Sequence, residues 1–386
     1  MLMASALTLA LTLRYTAFPV SSGEDTQMAV REYIALLDKI EELYIGEFDI
    51  ERVSEAALRA VVDSLGDRWS FYLTEEEYSS YLISMRNQFT GIGVSVAIHE
   101  ASGGMEVLFI YRDSPADFAG VLEGDIIIAI DGTSITGFSI SDLRDALARP
   151  VGETAELELI RASGAMERIT VVYDLVFSDP ISFEMLDGDI GYIAIANFEG
   201  ESAKGFIAAI EELLDEGARA FIYDVRNNGG GMVNEMTRML DYLLPEGEIF
   251  VSVDKSGTQS VTMSDAQMLD LPAVVLVDRY SFSAAEYFAA TLREYDYAEI
   301  VGEQTTGKSR SQSTVLMPSG GALHISTGQY FTKNRVALYD VGGLVPDHLH
   351  SLQDKDFGLF IRGNLAKEDD TQLQLALSVI MAAIGD

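Results

Sequence analysis

The chain has 386 residues, 48% of them hydrophobic, which suits two or three domains with apolar cores and excludes a wholly disordered protein. Its 26 basic and 61 acidic side chains give a net charge of −35, which repels nucleic-acid phosphates, so we expect no nucleic-acid partner. Cysteine is absent, which excludes disulfides and thiol nucleophiles. Because the four histidines are scattered and no HExxH occurs, we expect no metal and no cofactor.

Residues 1–20 carry a targeting pattern. Met1 to Leu13 contains no charged side chain and is almost wholly apolar. That length is typical of a signal-peptide core, because a membrane span needs about 17–25 apolar residues. We therefore expect residues 1–20 to be a signal peptide or an uncleaved membrane anchor. The protein is expected to work outside the cytoplasm, in the periplasm, at the cell surface or secreted.

Residues 24–87 are predicted to form a helical N-terminal region. Apolar residues such as Val30, Ile34 and Leu37 recur at steps of three and four, which predicts a helix from about Gln27 to Leu43. A second helix is predicted near residues 53–65, and a third after Thr74, a suitable N-cap. The apolar stripe of this region is expected to pack on its own chain; its use in a homodimer or higher oligomer stays open.

Residues 88–175 are predicted to form a separate, mainly β domain. The segment Ser114 to Gly132, SPADFAGVLEGDIIIAIDG, resembles the signature of PDZ domains of bacterial proteases. In such domains a loop resembling Gly91, Ile92, Gly93 and Val94 presents backbone N–H groups to the terminal carboxylate of a peptide, and the adjacent strand edge pairs with that peptide. The alternative is that these glycines only form a β-turn.

Residues 176–350 alternate between strand and helix patterns, and residues 351–386 are predicted to be a C-terminal helical segment. Such alternation predicts a sheet with helices on its faces, and ligands bind such sheets where the strands end. The strand Val274 to Val277 ends just before Ser283, which begins a helix running to about Tyr295. The turn at residues 229–231 follows another strand end. We therefore expect a site formed by this turn and Ser283.

A serine and a lysine can together make a nucleophile and its base. Lys308 comes 25 residues after Ser283, beyond one helix and one strand, in a predicted loop that also holds Gln312. The lysine must be neutral to accept the serine proton, so the pKa of Lys308 must fall from about 10.4 to near 7, which burial can supply. Ser281 is the rival nucleophile, and a histidine triad using His348 or His350 is the chemical alternative.

An ordered set of motifs resembles the carboxy-terminal processing peptidases, also called tail-specific proteases. These motifs span some 320 residues and include Gly66-Asp67, Phe89 to Gly93, Gly191-Tyr192-Ile193, Asp224 to Asn228, Ser283 to Glu286, Gly307-Lys308 and Gly343 to Asp347. The resemblance implies an α/β protease core, with a crotonase-like or ClpP-like sheet and flanking helices, into which the mainly-β PDZ domain is inserted.

The resemblance also implies roles for single residues. Ser283 corresponds to the nucleophile, Lys308 to the general base, and Gln312 to the side chain that orients the lysine amine. The oxyanion donors correspond to the backbone N–H groups of Ala284 and of Gly230 or Gly231. Two positions depart from the family: Gly229 replaces the proline of its asparagine-proline-glycine-glycine turn, and Gln304 stands where a proline is common.

We therefore expect an exported serine endopeptidase that cleaves proteins or peptides near their C-termini. The PDZ domain is expected to recognise the substrate tail and to gate the site, as the resemblance implies. The alternative is a catalytically silent PDZ adaptor that only binds C-terminal tails.

Overall fold

A computed structural model describes residues 23–385. The expected signal peptide or membrane anchor at residues 1–20 lies outside the described residues. In the described part, no helix is both long enough and apolar enough to span a membrane.

The helices, in chain order, are α1 (Glu24–Leu43), α2 (Ile50–Asp63), α3 (Glu75–Ser84), α4 (Pro115–Ala119), α5 (Ile140–Leu147), α6 (Ser202–Asp215), α7 (Val233–Leu243), α8 (Ala284–Glu294), α9 (Asp354–Ile361) and α10 (Thr371–Ile384). The strands are β1 (Phe71–Leu73), β2 (Gln88–Gly91), β3 (Val94–Ile98), β4 (Met105–Ile110), β5 (Ile126–Ile130), β6 (Thr133–Ser134), β7 (Thr154–Ile160), β8 (Met166–Val172), β9 (Asp174–Phe177), β10 (Ile181–Leu186), β11 (Ile190–Ile195), β12 (Ala220–Asp224), β13 (Gly247–Asp254), β14 (Gln259–Ser264), β15 (Ala273–Val277), β16 (Ala298–Gly302), β17 (Arg310–Leu316), β18 (Ala322–Phe331) and β19 (His348–Leu349).

The chain divides into two compact units. The first comprises Met1–Tyr78 and Gln312–Ser326, described from residue 23 onward, and the second comprises Ser79–Ser311 and Thr327–Asp386, described to residue 385. In the first unit, β1 pairs antiparallel with residues 322–324 of β18. The predicted cap at Thr74 is confirmed, because its hydroxyl accepts the Glu77 N–H and the Glu77 carboxylate accepts the Thr74 N–H.

The second unit contains the predicted mainly-β domain. Its sheet has the order β3-β4-β5-β7-β8, with β6 beside β5, and β2 pairs with β9. Buried apolar side chains, among them Met105, Ile127, Leu157 and Leu159, form a core of its own. β9 ends at Phe177, two residues beyond the predicted boundary at 175.

The second unit also contains a six-stranded sheet of order β10-β11-β12-β15-β16-β19. In this sheet β11, β12, β15, β16 and β19 run parallel to one another, and β10 is an antiparallel edge strand. β12 and β15 are buried along their whole length, as continuous apolar runs in a covered parallel sheet should be. Helices α6, α7 and α8 share one apolar core with the sheet, and α10 packs with its other face. The predicted sheet with helices on both faces is confirmed.

Candidate active site

Ser283 lies at the start of α8, directly after the turn that follows β15. Its backbone has φ 60 and ψ −122, a left-handed conformation that is costly for a residue with a side chain. Its side chain is partly exposed. A hydroxyl held at a helix N-terminus lies beside backbone N–H groups that the helix does not use. The predicted position of Ser283 between strand and helix is confirmed.

Ser281, the rival nucleophile, is fully buried. Its hydroxyl donates to the Val225 carbonyl at 2.7 Å and accepts the Asp278 N–H at 2.9 Å. Both bonds hold the turn together, so this hydroxyl is not available to attack a substrate.

Glu286 connects the start of α8 to the loop that contains Gly307 and Lys308 through hydrogen bonds. Its carboxylate accepts the N–H groups of Ser283 at 3.0 Å, Gly307 at 2.6 Å and Lys308 at 2.8 Å, and also the Thr305 hydroxyl. The side chain is fully buried, and this burial raises the pKa of Glu286 while the four donors favour its charged form. One carboxylate therefore fixes the backbones of both predicted dyad residues.

We expect Glu286→Gln to loosen this arrangement, because an amide offers one acceptor oxygen and no charge. Hydrogen bonds to charged groups contribute about 1.5–3 kcal/mol each, so the free energy of unfolding should fall by about 2–4 kcal/mol. The value of kcat should fall as Lys308 loses its fixed position. Glu294→Gln is the control, because Glu294 on the same helix accepts Thr332 Oγ1 and the Asn334 N–H instead. Equal kcat losses in both variants would contradict the assignment.

Tyr330 on β18 contacts both dyad segments and was missed by the sequence reasoning. Its hydroxyl donates to the Lys308 carbonyl at 2.6 Å and lies 3.5 Å from Ser283 Oγ. Burial raises the pKa of Tyr330 well above its usual range, so the phenol stays neutral. The serine side chain and the lysine main chain therefore meet at one phenol oxygen, and the dyad of Ser283 and Lys308 stays a prediction.

The glycine turn lies against Ser283. A Cβ added to Gly230 would be 2.7 Å from Ser283 Cβ, and one added to Gly229 would be 2.9 Å from the Phe282 ring. The ring therefore occupies the space that a side chain at position 229 would need. The Gly230 N–H donates to Asn228 Oδ1 at 2.8 Å. In this conformation the Gly230 proton is used within the turn, and the oxyanion role of Gly230 or Gly231 stays a prediction.

Gly231 keeps its N–H available. Phe198 bridges the turn by donating to the Gly230 carbonyl at 2.9 Å and accepting the Met232 N–H at 2.7 Å. Neither of these two bonds involves the N–H of Gly231, so that N–H is left unused by the contact with Phe198. Among the residues described, Gly231 and Ala284 are therefore the predicted oxyanion donors whose N–H groups these bonds leave unused.

Glu199, next to Phe198, carries a buried Oε2 that has no hydrogen-bond partner among residues 23–385. Burial, and then the charge of Glu235, raise the pKa of Glu199 from 4.5 to about 7. The folded state therefore prefers the protonated acid. The protonated Glu199 side chain therefore favours the folded state fully below about pH 4.5, and this stabilisation is lost as the pH rises through about 7.

We expect Glu199→Gln to raise Tm by a few degrees at pH 8 and much less at pH 5, because only the ionised carboxylate is penalised by burial. Thermal unfolding at both pH values measures this difference. Glu201→Gln, two residues along at an exposed position, should show no such pH dependence. Equal shifts at pH 5 and pH 8 for Glu199→Gln would contradict the assignment.

Gln312 lies on β17, so its predicted place in the lysine loop is wrong. It belongs to the first unit, whereas Ser283 and Lys308 belong to the second. Its Nε2 donates to Ser326 Oγ at 3.0 Å. The role of Gln312 in orienting the lysine amine stays a prediction.

The predicted tail-binding loop lines a cavity of about 420 Å³ in the second unit. Gly91, Ile92, Gly93 and Val94 face Leu143 and Leu147 of α5 across it. Gly93 has φ 80, and a Cβ there would be 2.2 Å from Ser114 Cβ, so only glycine fits. A glycine loop and an apolar pocket therefore share one cavity, as tail recognition requires.

The histidines pair with other groups. His348 contacts Glu299 at 2.6 Å and His350 contacts Thr371 at 2.9 Å. In the described residues, Ser283 Oγ accepts a hydrogen bond from Tyr330, while His348 and His350 contact Glu299 and Thr371, so a histidine triad is not formed. Within residues 23–385, no three histidine, aspartate or glutamate side chains are grouped to hold a metal ion.

Two segments of the chain match models of known protein families. Residues 189–349 match the model of peptidase family S41, and residues 107–161 match a PDZ domain model. Residues 189–349 are therefore a peptidase family S41 segment, and residues 107–161 are a PDZ domain segment. The S41 match contains the glycine turn, Ser283 and Lys308, and the PDZ match contains the whole signature from Ser114 to Gly132.

Several proteins similar to this chain are named for C-terminal processing. The chain is 28% identical to carboxy-terminal processing protease CtpA of Bacillus subtilis over 341 residues, which cover 88% of this chain and 73% of that protein. It is 26% identical to the carboxyl-terminal-processing protease of Synechocystis over 378 residues, which cover 96% and 81%. The solved photosystem II D1 C-terminal processing protease shares the fold, with a TM-score of 0.51 at 23% identity, over 88% of this chain and 92% of that one.

Proposed function

We propose that this protein is a serine endopeptidase of family S41 in which Ser283 is the nucleophile and Lys308 its general base. The observation that carries the proposal is the shared anchor: Glu286 accepts the backbone N–H of both residues. Tyr330 ties the Lys308 carbonyl to the position of Ser283 Oγ. The proposed core sheet is of the crotonase-like or ClpP-like type.

In the proposed reaction, Ser283 Oγ attacks the scissile carbonyl carbon while its proton passes to the neutral amine of Lys308. The N–H groups of Gly231 and Ala284 stabilise the developing oxyanion. Lys308 then gives the proton to the leaving amine, and an acyl-serine forms. A water molecule, deprotonated by Lys308, hydrolyses this ester and restores Ser283.

The PDZ domain is proposed to read the substrate tail. The cavity at Gly91, Ile92, Gly93 and Val94 combines backbone N–H groups for a terminal carboxylate with apolar walls for the last side chain. This supports substrates with a free, apolar C-terminal residue, and gating of the site by the bound tail. Export to a compartment outside the cytoplasm is part of the proposal and rests on the apolar residues 1–13.

The experiment compares a peptide with an apolar C-terminal residue and a free carboxylate with the same peptide amidated at its C-terminus. Binding is measured by fluorescence anisotropy and cleavage by mass spectrometry. We expect the free-tail peptide to be bound and cleaved, with a lower KM than the amidated one. Tight binding with no cleavage of peptide or casein would instead establish the silent PDZ adaptor.

We expect Gly93→Ala to weaken binding of the free-tail peptide by about tenfold or more, because the new methyl group meets Ser114 and the loop must shift. Gly120→Ala is the matched control: Gly120 also has φ 80, but nothing lies within 4 Å of its added Cβ. Both variants carry the same backbone strain. Equal Kd values for the two, measured by anisotropy, would contradict recognition of the tail by this loop.

A further inference from the structure

The two chain segments that enter and leave the PDZ domain meet at Asn87. Asn87 directly precedes β2, and Ser178 directly follows β9 and donates its N–H to the Asn87 carbonyl at 2.8 Å. Asn87 has φ 54 and its side chain is buried. An asparagine buried at this root, in a left-handed conformation, is held there by its surroundings.

The Asn87 side chain forms hydrogen bonds with both ends of the loop at residues 197–200. Its Nδ2 donates to the Gly200 carbonyl at 3.1 Å, and its Oδ1 accepts Nδ2 of Asn197 at 2.8 Å. Asn197 in turn accepts the Glu199 N–H at 2.9 Å. The Gly200 N–H donates to the Met85 carbonyl at 3.0 Å. These bonds fix the loop to the root of the PDZ domain.

The same loop carries Phe198, whose backbone forms both bonds to the glycine turn. A Cβ added to Gly231 would be 2.5 Å from the Phe198 carbonyl carbon, so the two backbones touch. Gly230 in turn lies against Ser283. A continuous series of contacts therefore connects Asn87, through the loop at residues 197–200, to the turn at residues 229–231 that holds the proposed oxyanion donor.

We propose that Asn87 is a positioning residue that sets the orientation of the Gly231 N–H through Asn197 and Phe198. This rests on the proposed function and goes beyond it, because it assigns a step of catalysis to the root of the PDZ domain. Loss of the Asn87 side chain then lowers kcat and leaves KM unchanged, since Asn87 is not among the residues that line the tail-binding cavity.

The variant Asn87→Gly isolates the side chain. Glycine adopts φ 54 without strain, so the backbone can stay in place while both side-chain bonds are lost. Asn197→Ala removes the partner amide. Asp189→Gly is the matched control, because Asp189 also has a positive φ of 58 but is exposed.

The experiment measures kcat and KM on the free-tail peptide, tail binding by anisotropy, and Tm. We expect Asn87→Gly and Asn197→Ala each to lower kcat about tenfold, with KM and the tail Kd within twofold. The double variant should lose less than the product of the two single losses, because both single variants break the bond between Asn87 and Asn197. Asn87→Asp, which keeps the acceptor and the left-handed backbone, should recover part of kcat.

The proposal is overturned if folded Asn87→Gly and Asn197→Ala keep wild-type kcat, if kcat falls together with tail binding, or if Asp189→Gly loses as much. If Asn87→Gly does not fold, Asn197→Ala alone decides. Failure of the proposed function is separate, because it shows as absence of cleavage by the wild type.

Discussion

Ser283→Ala is expected to lower kcat for the free-tail peptide by about 10⁴-fold or more, since loss of a serine nucleophile removes the acyl-enzyme route. Tail binding should stay within twofold of the wild-type value. The variant should fold, because the bond from the backbone N–H of residue 283 to Glu286 does not need the hydroxyl. Measurement of kcat, tail Kd and Tm on the purified variant checks all three.

Ser281→Ala is the matched control for this prediction. It deletes a buried hydroxyl that bonds to the Val225 carbonyl and to the N–H and carboxylate of Asp278, so it should lower the free energy of unfolding by about 1–3 kcal/mol. Its kcat should stay within about tenfold of wild type. The assignment of the nucleophile fails if Ser283→Ala retains activity, or if a folded Ser281→Ala is the inactive variant.

Lys308→Met is expected to lower kcat by about 10²–10⁴-fold with little change in KM, because a positioned general base contributes about that factor. Methionine keeps most of the length of the side chain but cannot accept a proton. The loop should keep its place, since its bonds to Glu286 and Tyr330 come from the backbone of residue 308. Steady-state kinetics and thermal unfolding measure these two effects separately.

Lys204→Met is the control for the loss of a lysine charge, because Lys204 is an exposed side chain on α6. It should keep wild-type kcat. A folded Lys308→Met with wild-type kcat would exclude Lys308 as the base, and a fall in Tm without a fall in kcat would leave it a purely structural role.

The sequence predicts the local part of the site well and the long-range part poorly. The buried strand β15 and the alanine-rich α8 are read from contiguous patterns, so the place of Ser283 is correct. β17 has no apolar alternation: most of its residues are exposed, and its pairing with β18 defines it as a strand. For this reason the sequence pattern predicts a loop at Gln312 where the structure has a strand.

The residues that contact the proposed dyad could not be predicted from the sequence either. Tyr330 lies 47 residues after Ser283 and reaches it through the strand β18. Glu286 caps α8 through the Ser283 N–H, and its bonds to Gly307 and Lys308 depend on where the following loop returns. The use of the Gly230 N–H by Asn228 depends on a side-chain rotamer, which no sequence pattern predicts.

The central claim is that a neutral Lys308 removes the proton of Ser283. The most direct test is the single-turnover cleavage rate of the free-tail peptide between about pH 6 and about pH 9, for wild type and Lys308→Met. We predict that the wild-type rate rises across this range as the lysine loses its proton, and that this rise is missing in the variant. A flat wild-type profile while chemistry limits the rate, or the same rise in Lys308→Met, would contradict the claim.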